Sequence, residues 1–353
     1  MRIILVGGGT SGHINPALNI AEYIKKNDKN MKILYVGSKT GIEVEMAKKA
    51  GLDFKGITVS GFSRKFDFSG IKKNIMSIKN IFVSSFESKK ILKEFKPNIC
   101  LGTGGYVMGA FLFQAYLIKI PFVLQEQNAV PGFTSKFLSK YAQTVFLGNK
   151  LAAKYLRTDK FIVTGNPIKN NFLNINQDEA KKKLGITNKL PVILSFGGSL
   201  GSEVINNIML EIIKSKKYNH IHGYGKNNKY FKKKLYNLDL KNIKEYLDNI
   251  DVCMAACDLV ICRAGAMTLS ELATIGKPAI LIPSPNVTNN HQVLNAIAYS
   301  KKFKASVIEE KNLTVQKLNS EISRLLNSNG KIIPENNNAC EQIYRFLCSF
   351  NRN

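Results

Sequence analysis

The sequence predicts an α/β protein of two Rossmann-like, doubly wound domains facing each other across a cleft. Three observations lead there. The chain has 353 residues, and a domain averages roughly 150. Short apolar runs alternate with helical patterns along its length, the sign of parallel sheets. One local pattern also occurs twice. Ile3-Ile4-Leu5-Val6 runs into Gly7-Gly8-Gly9-Thr10-Ser11-Gly12-His13, and Val192-Ile193-Leu194-Ser195-Phe196 runs into Gly197-Gly198-Ser199-Leu200-Gly201-Ser202. A buried strand that turns through glycines onto a helix N-terminus makes a site for anions and nucleotides.

The elements follow in order. The first half reads as strands at 2–6, 32–36, 98–101, 121–125, 144–147 and 161–164, with helices at 14–26, 41–50 and 105–118. Gly165-Asn166-Pro167 starts a turn and marks the domain change. The lysine-rich stretch 178–184 reads as an exposed helix. The second half reads as strands near 192–196, 219–222, 242–246, 258–262, 279–282 and 305–307, with helices near 203–215, 228–235, 268–275 and 291–301. The domains expected are 1–164 and 165–335, with a helical tail at 336–353 that could pack back on the first.

Composition bounds the partners. At 44% hydrophobic residues the chain can bury two ordinary cores. Its net charge is +26, with 44 lysines and seven arginines. A lysine and asparagine bias accounts for part of this. The functional readings of the excess are an anionic membrane surface, a nucleic acid or a phosphorylated substrate. Base readers lean on arginine forks, and none cluster here, so no nucleic-acid partner is expected. None of the six cysteines forms a Cys-x-x-Cys pair, so buried free thiols are expected. The apolar run after Arg2 is too short for a signal peptide. The apolar stretch from Tyr106 to Leu124 is broken by Gln114, Lys119 and Pro121. It reads as a helix and a strand, not a membrane span.

The candidate chemistry sits at the glycine loops. Gly7, Gly9 and Gly12 satisfy Gly-x-Gly-x-x-Gly, but a dinucleotide site also wants an acid ending the second strand. That strand ends Tyr35-Val36-Gly37-Ser38-Lys39, and Glu43 and Glu45 fall in the next helix. His13 stands at a helix start, where the dipole favours neutral imidazole. Such a group serves as a general base, or only packs the loop. Ser199 lies in the second glycine loop. Asp258 to Cys262 reads as a strand leading through Arg263-Ala264-Gly265 to a helix, with Glu271 in about its first turn. An acid there receives two ribose hydroxyls, or only balances the helix dipole. Pro283 and Pro285 fix a loop ending in Asn289-Asn290-His291-Gln292, a place to hold a sugar. With no Asp-x-Asp and no histidine pair at metal-ligand spacing with acids nearby, neither a metal nor another cofactor is implied.

Taken together, six motifs resemble the MurG family of peptidoglycan N-acetylglucosaminyltransferases, which have the two-domain GT-B fold. They are Gly8-Gly9-Thr10-Ser11-Gly12-His13, Gly104-Gly105-Tyr106, Glu126-Gln127-Asn128, Gly165-Asn166-Pro167, Gly197-Gly198-Ser199, and Arg263-Ala264-Gly265-Ala266-Met267-Thr268-Leu269-Ser270-Glu271, in the family's order and spacing. The resemblance spans essentially the whole chain. It implies inverting transfer of GlcNAc from UDP-GlcNAc, a substrate and not a cofactor, to the MurNAc C4 hydroxyl of lipid I.

Carried over by position, Ser199 and the 263–268 loop hold the diphosphate, Ala266 to Glu271 lie along the donor with Glu271 on the ribose, and Tyr246 and Leu247 frame the uracil. His291 and Gln292 contact the GlcNAc. Thr10, Ser11, Gly12 and Asn128 reach the reacting sugar. His13 is the base candidate, with Glu126 able to share the role. Gly9, Gly104, Gly105 and Tyr106 belong to the acceptor side. The family often has glycine at Ser11 and arginine at Lys169. Lysine keeps the charge there but loses the planar fork.

A lipid acceptor requires a visit to the membrane. Ile71, Ile75, Ile78 and Phe82 recur at helical spacing, flanked by Lys72, Lys73 and Lys79 and preceded by Phe62, Arg64, Lys65, Phe66 and Phe68. This fits an interfacial helix on the anionic inner leaflet of the cytoplasmic membrane, or a stripe packed on its own domain. Other cell-wall synthesis proteins are further partner candidates. The alternatives are a UDP-GlcNAc epimerase, a glycolipid glycosyltransferase of the same fold, and a non-catalytic nucleotide-sugar-binding scaffold.

Overall fold

The N-terminal apolar run forms β1 (Arg2–Gly7), in which Ile3, Ile4, Leu5 and Val6 are all fully buried. A strand covered on both faces needs no apolar–polar alternation, which is why it reads as a continuous run. The computed structural model describes residues 1–59, 68–173, 175–228, 230–235, 241–287, 290–328 and 332–350. Of α3 (below) it describes the backbone throughout but not the side chains at 68–79 and 81.

Six further strands join β1: β2 (Lys32–Ser38), β3 (Asp53–Ile57), β4 (Ile99–Gly104), β5 (Phe122–Glu126), β6 (Val145–Leu147) and β7 (Phe161–Val163). They pair in the order β3-β2-β1-β4-β5-β6-β7, every pair parallel. Helices α1 (Ser11–Asn27) and α2 (Glu43–Lys49) lie in one core cluster; α3 (Phe68–Phe95), α4 (Gly105–Leu117) and α5 (Phe133–Leu138) contribute to the other. Strand β3 and helix α5 are additions to the elements read from the sequence.

The second sheet contains β8 (Val192–Phe196), β9 (Asn219–Gly223), β10 (Ile243–Lys244), β11 (Leu259–Cys262), β12 (Ala279–Leu281) and β13 (Ala305–Val307). Their order is β10-β9-β8-β11-β12-β13, again all parallel. Its helices are α6 (Gln177–Lys183), α7 (Glu203–Lys214), α8 (Ile250–Ala256), α9 (Ala266–Ile275), α10 (His291–Ser300) and α11 (Val315–Asn327). The helix expected at 228–235 is only a 3-10 turn at Phe231–Leu235, and the strand expected at 242–246 shortens to two residues. Helices α8 and α11 are further additions.

The chain forms two compact units, Met1–Ile168 with Asn337–Asn353, and Lys169–Asn336. The tail forms α12 (Ala339–Ser349) in the first unit, where fully buried Ile343 and Leu347 join Ile14, Ala17, Ile20 and Ile24 of α1. Each such side chain contributes about 1.5–3 kcal/mol.

In both sheets the strand order reverses beside the first strand, between β1 and β4 and between β8 and β11. Ligands of open parallel sheets bind at the C-terminal ends of strands flanking such a point. Both glycine loops are there. The acid missing from the end of β2 in sequence arrives in space. The fully buried Glu43 reaches back so that Oε1 accepts from the Ser38 amide (2.8 Å). Gly8, Gly37 and Gly41 close on it so tightly that a Cβ on any of them would collide with its side chain. That packing leaves no room for a ribose.

Candidate active site

In the first unit β1 ends at Gly7, and Gly9 takes φ +85° before the chain enters α1. At the neighbouring strand end Gly104 and Gly105 take φ +128° and +87°, conformations that favour glycine. The Gly8 amide donates to the Gly104 carbonyl (3.3 Å), and a Cβ at Gly105 would strike the Gly8 carbonyl. The two loops therefore touch backbone to backbone. No side chain caps α1 or α4, and neither first turn carries an acid. Two such starts side by side favour an anion through their N–H groups and dipoles.

His13 is the third residue of α1 and is half-buried. Its Nδ1 lies 3.1 Å from Oε1 of Gln127, and its carbonyl accepts from Thr103 Oγ1 (2.6 Å). A Cβ at Gly104 would overlap the imidazole, so glycine there admits the ring. Glu126, the last residue of β5, is buried, and its Oε1 accepts from both the backbone N (3.0 Å) and Nδ2 (3.1 Å) of Asn128. Gly9, Thr10 and Tyr106 are exposed, Ser11 and Gly12 half-buried.

In the second unit Gly265 precedes α9, with no side-chain cap and no acid in the first turn. Glu271 is the sixth residue of α9, so it stands on the second turn and not the first. Burial pushes its carboxyl up to about 8; the Lys169 charge opposes the rise and Asp251 adds to it. Lys169 itself is exposed. Met267 and Leu269 are buried, so what they offer a ligand is backbone. Ser270 Oγ donates to the Ala266 carbonyl (3.2 Å). The other helix start here, that of α7, has Glu203 in its first turn and is capped by Ser202, whose Oγ accepts from the Ile205 amide (3.4 Å). An anion is therefore better received at Ala266, Met267 and Thr268.

Arg263 lies in the expected diphosphate loop, but its guanidinium is already engaged. It donates to Ser202 Oγ (2.6 Å) and the Ile282 carbonyl (3.1 Å) and pairs with Glu310. Anion binding by this loop falls to its backbone. Ser199 is half-buried in the loop where Gly201 packs on the backbone of Gly225. Tyr246 is exposed, and Leu247 is half-buried beside Gly223. His291 and Gln292 open α10. The Ser284 amide donates to Gln292 Oε1 (2.9 Å), so the group Gln292 can offer a sugar is its NH2. Asn289 lies outside the described residues. Sequence reasoning passed over Gln127, which only the structure brings to His13.

Residues 3–147 match the glycosyltransferase family 28 N-terminal domain, and residues 192–347 match the family's C-terminal domain. The chain belongs to glycosyltransferase family 28. A relative from Acetivibrio thermocellus is 41% identical, covering 100% of this chain and 99% of its own. It is named UDP-N-acetylglucosamine--N-acetylmuramyl-(pentapeptide) pyrophosphoryl-undecaprenol N-acetylglucosamine transferase. A relative of the same name from Finegoldia magna is 38% identical over 99% of this chain and 95% of its own. The fold of this family 28 chain is also that of MurG from Acinetobacter baumannii, at TM-score 0.72 and 23% identity over 99% of both chains. It is similar as well to a UDP-GlcNAc 2-epimerase from Neisseria meningitidis, at TM-score 0.63 and 16% identity over 99% of this chain and 100% of the other. At such identities these two structures speak to the fold alone.

Proposed function

We propose that this family 28 chain moves N-acetylglucosamine from UDP-GlcNAc to the MurNAc C4 hydroxyl of undecaprenyl-diphospho-MurNAc-pentapeptide, releasing UDP. The observation that carries the donor half is the uncapped, acid-free start of α9 with Glu271 one turn further along. The relatives' name supplies both substrates. In one inverting displacement the acceptor oxygen bonds to the sugar's C1 as the C1–O bond to UDP breaks. The proton from that hydroxyl goes to Nε2 of His13. Negative charge gathering on the departing diphosphate is met by the N–H groups of Ala266, Met267 and Thr268. Ser199 adds a hydroxyl, Glu271 receives the ribose, Tyr246 and Leu247 bracket the base, and His291 and Gln292 hold the sugar. Thr10, Ser11, Gly12 and Asn128 serve the reacting centre. Gly9, Gly104, Gly105 and Tyr106 serve the acceptor, whose own diphosphate suits the paired starts of α1 and α4.

Membrane docking belongs to the same proposal. Among the described residues no helix is long and apolar enough to cross a membrane. Phe82 and Phe86 on α3 and Phe133 on α5 are 73%, 74% and 82% exposed. Lys89, Lys90 and Lys93 follow on α3, and Lys136 sits on α5. The side chains of Ile71, Lys72, Lys73, Ile75, Ile78 and Lys79, and residues Phe62, Arg64, Lys65 and Phe66, lie outside those described. Large exposed aromatics among lysines suit an anionic lipid surface.

The direct test mixes purified protein with labelled UDP-GlcNAc and a short-chain lipid I analogue in a chelating buffer. Labelled lipid product is expected. Donor binding without product would refute the acceptor. Free N-acetylmannosamine formed without acceptor would instead support an epimerase.

A further inference from the structure

We propose that Gln127 is the positioning residue for His13: it holds the imidazole in the Nδ1–H tautomer and so presents Nε2 as the basic nitrogen. The inference rests on the proposed role of His13 and extends it. Gln127 is 3% exposed, so its amide must find all its partners inside the protein. The two hydrogens of its NH2 are shared among three acceptors: the backbone carbonyls of Thr103 (2.7 Å) and Gln125 (3.1 Å) and Gln125 Oε1 (2.5 Å). A backbone carbonyl can only accept, so these two assign the amide without reference to any other side chain. Reversing it would set oxygen against two oxygens.

The remaining atom, Oε1, faces His13 Nδ1 at 3.1 Å. An amide oxygen cannot donate, so the proton of this hydrogen bond belongs to Nδ1. A neutral imidazole protonated at Nδ1 carries its lone pair at Nε2. A histidine free in water prefers the opposite tautomer, so the preference has to be imposed.

The surroundings brace this arrangement. Gln125 Nε2 donates to Asn166 Oδ1 (3.1 Å), and Asn166 Nδ2 donates to the Gln127 carbonyl (3.2 Å). Asn337 Nδ2 donates to the Asn166 carbonyl (2.9 Å). Gln125 and Asn166 are 1% and 2% exposed. A run of neutral carboxamides thus leads from His13 to Gly165-Asn166-Pro167. Because these partners are neutral, they orient the ring without adding the charge that a carboxylate at Nδ1 would bring.

The test reads the tautomer directly. The chain has four histidines, so 15N–1H correlation spectra of histidine-labelled protein are simple, and His13→Ala identifies the relevant pair of nitrogens. With the ring neutral, His13 should show a pyrrole-like Nδ1 and a pyridine-like Nε2. A pyrrole-like Nε2 in the wild type would overturn the proposal, whatever any variant does. Gln127→Met should move the ring toward the Nε2–H tautomer. It should lower kcat about 10²-fold, the lower end of what a well-placed general base contributes, while KM for UDP-GlcNAc stays within about twofold. Wild-type kcat in Gln127→Met, or an unchanged tautomer, would also overturn it. Near-normal turnover of His13→Ala, with the Nδ1–H tautomer seen in the wild type, would instead remove His13 as the base and so fault the functional reading itself.

Discussion

Glu271 is mostly protonated at neutral pH unless something draws its proton away, since burial, opposed by the Lys169 charge and reinforced by Asp251, holds the carboxyl up to about 8. A ribose diol does that: two hydroxyls donate to a carboxylate but find fewer acceptors on the acid. Donor binding should therefore release a proton. Below pH 8 the binding-competent fraction falls about tenfold per unit, and the apparent Kd rises with it. Calorimetry of UDP binding at pH 7 in two buffers of different ionisation enthalpy should report release of close to one proton. Glu271→Gln should abolish the pH dependence; no proton release in the wild type would remove Glu271 from the ribose. Glu271 and His13 were legible in the sequence because each follows a strand and a small-residue loop within a dozen residues. Gln127 was not, because it meets His13 across 114 residues and a glutamine announces no chemistry. The cue available was a polar run, Gln125-Glu126-Gln127-Asn128, directly after the apolar residues of β5.

Helices with a long clean period were readable, and those without one were not. Seven-residue α8 is too short to show a stripe. Strand β3 is an edge strand whose Asp53 and Lys55 are exposed, so it reads as loop. Helix α11 is different: Leu318, Ile322 and Leu325 are its buried face, at a spacing that does specify a helix. The basic-apolar segment was legible as a helix because its isoleucines and phenylalanines recur every three or four residues, and α3 runs 28 residues. What its exposed phenylalanines do is testable. Phe82 and Phe86 are mostly solvent-exposed, so replacing both with glutamate should cost little stability. Sedimentation with vesicles rich in anionic lipid should fall several-fold while UDP binding stays at the wild-type level. Undiminished sedimentation would place the membrane contact elsewhere.

Over the whole molecule, the acid–base behaviour should divide between the units, because the strongly shifted groups near neutrality lie in the second. Burial pulls His220 down to about 4. It pulls His222 down to about 3, helped by the neighbouring His220 and opposed by the Ser195 hydrogen bond. Both stay neutral when folded but take up protons near 6.5 when unfolded, so their contribution is present above pH 6.5 and lost as pH falls. Glu271 acts in the other direction. Folded it holds its proton to about 8, unfolded only to about 4.5, so its contribution is present below pH 4.5 and lost as pH rises toward 8. Between 4.5 and 6.5 the unfolded second unit binds two protons on His220 and His222 that the folded one lacks, against one on the folded Glu271. Stability should then rise with pH by about 1.4 kcal/mol per unit. From 6.5 to 8 only the Glu271 proton differs, and stability should fall at a similar rate. The second unit should thus be most stable near pH 6.5. Saturating UDP, by holding Glu271 ionised, should erase the falling side and leave a plateau. Thermal unfolding from pH 5 to 8, followed through the transition that UDP raises, reads both limbs. A fall between 6.5 and 8 that survives UDP would mean that another group, and not Glu271, sets it.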